Sequence, residues 1–129
     1  MLGPPGSGKG TQAHRLSADL KYPAIPTGDV LRDALRSQTE LGRRAEAFMQ
    51  AGELVPDALV DEIVKSRLMQ PDCGEGFILD GYPRTTGQAR FLEELLAKEK
   101  AETLVIGLRV EDEVLVNRIA GRWSCPGCG

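Results

Sequence analysis

Apolar residues at helical spacing dominate the chain, interrupted by two short unbroken apolar runs. Over residues 9–20, Ala13, Leu16 and Leu20 recur at the spacing of one helix face. Pro23 and Pro26 then bracket Ala24 and Ile25, a piece that is extended because a residue before proline avoids the α region. Val30, Leu31, Ala34 and Leu35 form a stripe on a short helix after Thr27-Gly28-Asp29, with Asp29 placed to cap it. Thr39 opens a second short helix, with Leu41, Ala45, Phe48 and Met49 inward and Gly52 as its stop. Asp57 opens a third, with Leu59, Val60, Ile63, Val64 and Leu68 on one face and Pro71 beyond its end.

The first unbroken run, Phe77-Ile78-Leu79, is flanked by glycines and ends in Asp80. It reads as a buried parallel strand with a carboxylate at its C-terminal tip. A turn, Gly81-Tyr82-Pro83-Arg84, leads to a helix that Thr85 or Thr86 caps and that turns Ala89, Leu92, Leu95 and Leu96 inward. The second run, residues 104–110, is another predicted strand, and a last helix over residues 112–121 carries Val114, Leu115 and Ile119 inward. Strands alternating with helices predict an α/β fold with a parallel sheet.

Ahead of the first helix stands Gly3-Pro4-Pro5-Gly6-Ser7-Gly8-Lys9-Gly10-Thr11. Glycines let a backbone turn through positive φ and approach an anion closely. Their N–H groups and the helix N-terminus then cradle phosphate oxygens, and Lys9 adds a full charge. The spacing is that of a phosphate-binding loop, except that Gly10 stands where serine or threonine is usual and the hydroxyl comes at Thr11. Only Met1 and Leu2 precede Gly3, fewer residues than a buried strand needs, so most of a first strand is expected to be missing.

Composition changes this picture little. The 129 residues suit one domain, and 41% hydrophobic with 27% charged residues suits a soluble globular protein. A net charge of −3 gives no reason to expect nucleic acid or a membrane surface as partner. No apolar stretch could span a bilayer, no signal segment opens the chain, and three cysteines make no secreted framework, so a cytoplasmic location is expected. Arginines outnumber lysines eleven to five, a bias that suits bidentate recognition of phosphate. His14, on the first helix, reads as a surface residue.

In open parallel sheets ligands gather at the C-terminal ends of the strands. Asp80, a turn or cap residue if taken alone, becomes beside a phosphate loop a candidate to hold Mg²⁺ directly or through water. Phosphoryl transfer also calls for converging cations. Arg84 follows Asp80 at the same sheet edge, Arg32 follows Thr27-Gly28-Asp29, and Arg118 and Arg122 share one helix face at i, i+4.

The loop, Thr27-Gly28-Asp29 with Leu31-Arg32, Gly52-Glu53-Leu54-Val55, Asp80-Gly81-Tyr82-Pro83-Arg84-Thr85 and Asn117-Arg118-Ile119-Ala120-Gly121-Arg122 occur in order. Together they resemble the adenylate kinases across essentially the whole chain. The resemblance implies a P-loop three-layer α/β/α fold, with residues 1–25 and 56–121 as an incomplete core and residues 26–55 as a mobile AMP-binding insertion. It implies reversible transfer between MgATP and AMP to give two ADP, in a monomer, and it accounts for Gly10. By it, Gly6, Ser7, Gly8, Lys9, Gly10 and Thr11 hold the ATP phosphates, and Arg118 and Arg122 face ATP. Thr27, Arg32, Glu53, Leu54, Val55, Gly81, Tyr82, Pro83, Arg84 and Gln88 form the AMP site, and Asp80 anchors water around Mg²⁺. Lys9 and Arg84 stabilise the transferring group.

Residues 122–129 resemble the start of the lid in zinc-containing members. Cys125 and Cys128 are half of a tetrahedral Zn²⁺ site, which closes only with two further ligands in a longer parent protein. A chain without the remaining lid is expected to bind nucleotides and to turn them over weakly or not at all. Two alternatives stay open: a kinase for another nucleoside monophosphate such as UMP or CMP, and a non-catalytic nucleotide-binding fragment.

Overall fold

A computed structural model describes residues 1–99, 101–121 and 123. Among them the order is α1 (Lys9–Leu20), β1 (Ala24–Pro26), α2 (Thr27–Arg36), α3 (Glu40–Gln50), α4 (Asp57–Leu68), a 3₁₀ turn (Pro71–Cys73), β2 (Ile78–Asp80), α5 (Thr86–Glu99) and α6 (Asp112–Ala120). Each helix lies where apolar spacing predicts it, but the caps differ in detail. α2 begins at Thr27, so Asp29 sits within its first turn, where a carboxylate complements the positive end of the helix. Thr39 does cap α3, accepting from the Gly42 N–H at 3.0 Å. Thr85, rather than Thr86, caps α5 by accepting from the Gln88 N–H at 3.2 Å.

β1 and β2 pair in parallel, Ala24 with Ile78, Ile25 with Leu79 and Pro26 with Asp80. The Ile78 N–H points to Pro23 O at 2.9 Å. Successive backbone groups of a strand point to opposite sides, so the Leu79 carbonyl faces away from β1 and accepts from the Met1 amino group at 2.5 Å. Leu2 in turn makes a parallel bridge to Gly107. The order across the sheet is therefore β1, β2, residues 1–2, residues 106–108.

The run 104–110 does not form the predicted strand. Leu2 donates to Ile106 O at 2.9 Å and accepts from the Leu108 N–H at 2.8 Å, one rung of a parallel ladder. Among the described residues no strand lies beside Leu104 and Val105, which are 83% and 67% exposed. An apolar run is held extended by pairing, and among the described residues it is bridged at Leu2 alone. Other positions expected inward also face out: Ala89 is exposed, as are Val114 and Ile119 on α6, where Leu115 alone is buried.

The core has two parts. Ile25, Val64, Cys73, Leu79 and Tyr82 pack between the strands and α4. Ala45, Leu59 and Ile63 pack between α3 and α4, with Val30 and Leu31 of α2 against them. α2 and α3 approach so closely that a Cβ on Gly42 would lie 2.0 Å from Ala34 O. Among the described residues no helix is long and apolar enough to cross a membrane.

Candidate active site

The loop ahead of α1 owes its shape to Gly6 and Gly8, whose φ angles of 79° and 88° lie in the left-handed region that disfavours any residue with a Cβ. Gly8 is the N-cap of α1, and no acidic residue occupies the first turn of that helix. Its free N–H groups and positive end are thus left for an anion. Gly6, Ser7, Gly8, Thr11 and Gln12 line a cleft of about 510 Å³ with Val110 and Arg118, a size that suits a small ligand. Arg118 reaches the loop from α6, its Nη1 donating to Gly6 O at 3.2 Å. Lys9 folds back over the loop, its Nζ donating to Gly3 O at 2.8 Å and Pro4 O at 2.9 Å. An ammonium held by two carbonyls braces the loop and keeps a third proton for another acceptor. Ser7 is buried, with its Oγ unpartnered.

Asp80 joins this loop to a second group of residues. A Cβ on Gly10 would lie 3.4 Å from Asp80 Oδ2, so the residue that replaces the usual hydroxyl is the one facing the carboxylate. Asp80 Oδ1 is buried without a hydrogen-bond partner. Leaving such an atom unsatisfied costs about 1–3 kcal/mol, and more for a charged group. A hard oxygen donor in need of a partner, beside a phosphate cradle, fits Mg²⁺.

On its other side Asp80 O accepts from Thr27 Oγ1 at 3.3 Å. The Gly81 Cβ position would lie 3.3 Å from Arg84 Nη2 and 3.5 Å from Thr27 Oγ1, so these two side chains converge on Gly81. Arg84 is exposed, with Nε donating to Gly81 O at 2.7 Å. The Arg32 guanidinium pairs with Asp29 and lies against Gly28, one residue from Thr27.

The other predicted site residues differ in how far they reach the surface. Tyr82 is 2% exposed, and its hydroxyl donates to Asp61 Oδ1 at 2.5 Å within the core. Burial, and then that bond, push its phenol well above the ordinary range. It anchors the turn, with its hydroxyl taken up inside the core. Pro83 beside it is partly buried. Gln88 is 4% exposed, with its amide engaged by Asp57 and by the Arg84 main chain. Glu53 and Leu54 face outward, Leu54 at 94% exposure, while Val55 packs on the second core cluster.

Arg122, Cys125 and Cys128 lie outside the described residues. Among the described residues no group of three or more His, Cys, Asp or Glu side chains could hold a metal ion unaided. Cys73 is a packing residue, its thiol pushed up by burial. Sequence reasoning passed over Asp57 and Thr85 as site residues and saw them only as helix starts. Their partnership spans 28 residues, which no periodic pattern can signal.

A glycine cradle at a helix N-terminus, cations beside it and a carboxylate at the end of the neighbouring strand define a P-loop protein of the α/β class. Known sequences narrow the class. A sequence model of the adenylate kinase family matches residues 1–123. The chain is 53% identical to an adenylate kinase of Allorhizobium ampelinum over 130 residues, all of this chain and 60% of the relative. It is 54% identical to one of Archaeoglobus fulgidus over 130 residues and 50% identical to one of Thermotoga petrophila over 131, with the same shares covered. The chain belongs to the adenylate kinase family, and it spans about 60% of the length of these curated relatives.

Proposed function

We propose that the chain carries the nucleotide sites of an enzyme that transfers a phosphoryl group reversibly between MgATP and AMP, giving two ADP. The observation that carries this reading is the double role of Asp80. Its carboxylate stands at Gly10 of the phosphate loop, and its carbonyl holds Thr27 beside Gly81 and Arg84. Two anion-attracting groups joined by one residue suit a reaction in which two nucleotides meet. A single-nucleotide hydrolase needs only one such group.

In this reading Gly6 to Thr11 hold the ATP phosphates, and Lys9, Arg118 and Arg122 neutralise charge on them. Thr27, Arg32 and Arg84 grip the AMP phosphate and ribose side. Gly81 sets the turn that Tyr82 and Pro83 anchor, Glu53, Leu54 and Val55 close the AMP segment over residues 26–55, and Gln88 meets the base. Residues 1–25 and 56–121 form the core, and residues 122–129 begin the lid. No side chain has to act as a strong base, because positioning and electrostatics dominate phosphoryl transfer. Asp80 would hold, directly or through water, the Mg²⁺ that enters with ATP, and the ion would supply charge neutralisation on the phosphates. Cys125 and Cys128 would supply two of the four ligands of a structural Zn²⁺ in a longer parent protein. The reading carries with it a cytoplasmic monomer with nucleotides, and not nucleic acid or membrane, as partners.

Titration of AMP, UMP and CMP onto the chain in the presence of MgATP tests it, together with a coupled assay of the acceptors. Tighter binding of AMP is expected. A preference for UMP or CMP overturns the adenylate assignment.

A further inference from the structure

Asp57 opens α4 on the exposed side, yet both its oxygens are taken by residues of the turn before α5 and of α5 itself. Oδ1 accepts from Gln88 Nε2 at 2.7 Å, and Oδ2 accepts from Thr85 Oγ1 at 2.7 Å. Thr85 Oγ1 itself accepts from the Gln88 main-chain N–H at 3.2 Å, so the three residues close a ring. At the other end of the amide, Gln88 Oε1 accepts from the Arg84 main-chain N–H at 2.8 Å.

A free glutamine can present its amide oxygen and nitrogen in either order. This one cannot turn over. A carboxylate only accepts, so the atom facing Asp57 has to be Nε2; a main-chain N–H only donates, so the atom facing Arg84 has to be Oε1. Both neighbours impose the same order. The reversed amide would set oxygen against carboxylate and N–H against N–H in a residue 4% exposed, leaving buried polar groups unsatisfied. With these bonds made, Nε2 keeps one hydrogen and Oε1 one lone pair, in an order that Asp57 and the Arg84 main chain set together.

We infer that Asp57 is a specificity-determining positioning residue: by pinning the Gln88 amide it makes the acceptor site select 6-aminopurine over 6-oxopurine monophosphates. This rests on the reading above, in which Gln88 meets the base. A 6-aminopurine offers a donor at C6 and an acceptor at N1. A 6-oxopurine has nearly the same outline with that order reversed. A freely turning amide satisfies both, whereas a pinned one satisfies one of them. Asp57 touches neither base nor phosphate and acts through Gln88. The Arg84 main chain hangs on the same amide, so the residues reading base and phosphate share one anchor.

AMP and IMP differ in this donor–acceptor order, and calorimetric titration of both onto the chain tests the inference. The parent is expected to bind AMP about tenfold or more tighter than IMP. In Asp57→Asn the new amide offers Gln88 either an oxygen or an N–H₂, and the ratio is expected to fall severalfold, chiefly because IMP binds better, while the Arg84 N–H still favours the original order. Thr85→Val removes one arm of the ring and is expected to lie between. Circular dichroism reports whether Asp57→Asn folds; if it does not, Thr85→Val decides. A parent that prefers AMP, with variants that keep the ratio or weaken both nucleotides equally, overturns the inference and leaves the site assignment standing. A parent that binds both nucleotides equally overturns the inference as well. A parent that binds neither nucleotide overturns the site assignment and the inference with it.

Discussion

The Tyr82 hydroxyl donates to Asp61 Oδ1 at 2.5 Å inside the core and ties the turn after β2 to the middle of α4. Tyr82→Phe keeps the ring and removes the donor, leaving a buried carboxylate oxygen short of a partner. A loss of about 1–3 kcal/mol in unfolding free energy is expected from urea titration. The pair also sets an alkaline limit. Burial and the Asp61 carboxylate hold the phenol above its ordinary value of 10.0, which the unfolded chain retains. A raised folded-state pKa gives stability that is complete below the unfolded value and is lost as pH rises above it. The parent's urea midpoint should therefore fall above pH 10 more steeply than that of Tyr82→Phe. Parallel curves for the two proteins would remove Tyr82 as the cause.

Gly42 marks where α2 and α3 cross. A Cβ there would meet Ala34 O at 2.0 Å and Ala34 C at 2.5 Å, main-chain atoms that cannot step aside. Gly42→Ala is expected to cost about 3 kcal/mol as α2 and α3 are forced apart. Since α2 carries Thr27 and Arg32, AMP affinity should fall while MgATP affinity holds. A variant with unchanged thermal midpoint would show that the crossing is looser than its geometry.

These cases show what could be read before the fold was seen. The positions of all six helices followed from apolar spacing, and the cradle and Asp80 from residue type and order, because both signals are local. Tyr82 belongs to the candidate site by its motif, and the motif does not signal that its hydroxyl is taken up by Asp61 of a different helix. Asp57 looked like a helix start because its partners at Thr85 and Gln88 come from a different helix. The run at residues 104–110 has the composition of a strand, but a strand is a property of two segments, and Leu2 supplies one rung.

Lys9 holds the carbonyls of Gly3 and Pro4 and so shapes the loop as well as charging it. Lys9→Met is expected to weaken MgATP by about tenfold to a hundredfold, the range for hydrogen bonds to charged groups. In a complete family enzyme it should lower turnover by several orders of magnitude. Unaltered ATP affinity in a folded Lys9→Met protein would take the phosphates away from this loop.

Among the described residues Asp80 Oδ1 has no hydrogen-bond partner, and Gly10 leaves its Oδ2 uncovered. If the carboxylate serves Mg²⁺, then Asp80→Asn should abolish the gain in ATP affinity that Mg²⁺ brings and leave metal-free ATP binding near the parent's. Titrations with and without Mg²⁺ separate the two. An equal Mg²⁺ effect in parent and variant would return Asp80 to the role of a turn residue.

Arg118 touches Gly6 of the loop, and Arg84 touches Gly81 beyond Asp80, so the two cations belong to different nucleotides if the site is a two-nucleotide site. Arg118→Ala should then weaken MgATP and spare AMP, and Arg84→Ala should do the reverse. Each loss is expected at about ten- to a hundredfold, since each removes charge-assisted bonds to phosphate. The crossed pattern matters more than the size. A shared loss of stability would weaken both ligands in both variants, and a single nucleotide spanning both groups would make the two variants indistinguishable. Only two separate phosphate sites, joined through Asp80, give opposite selectivity from two arginine-to-alanine changes.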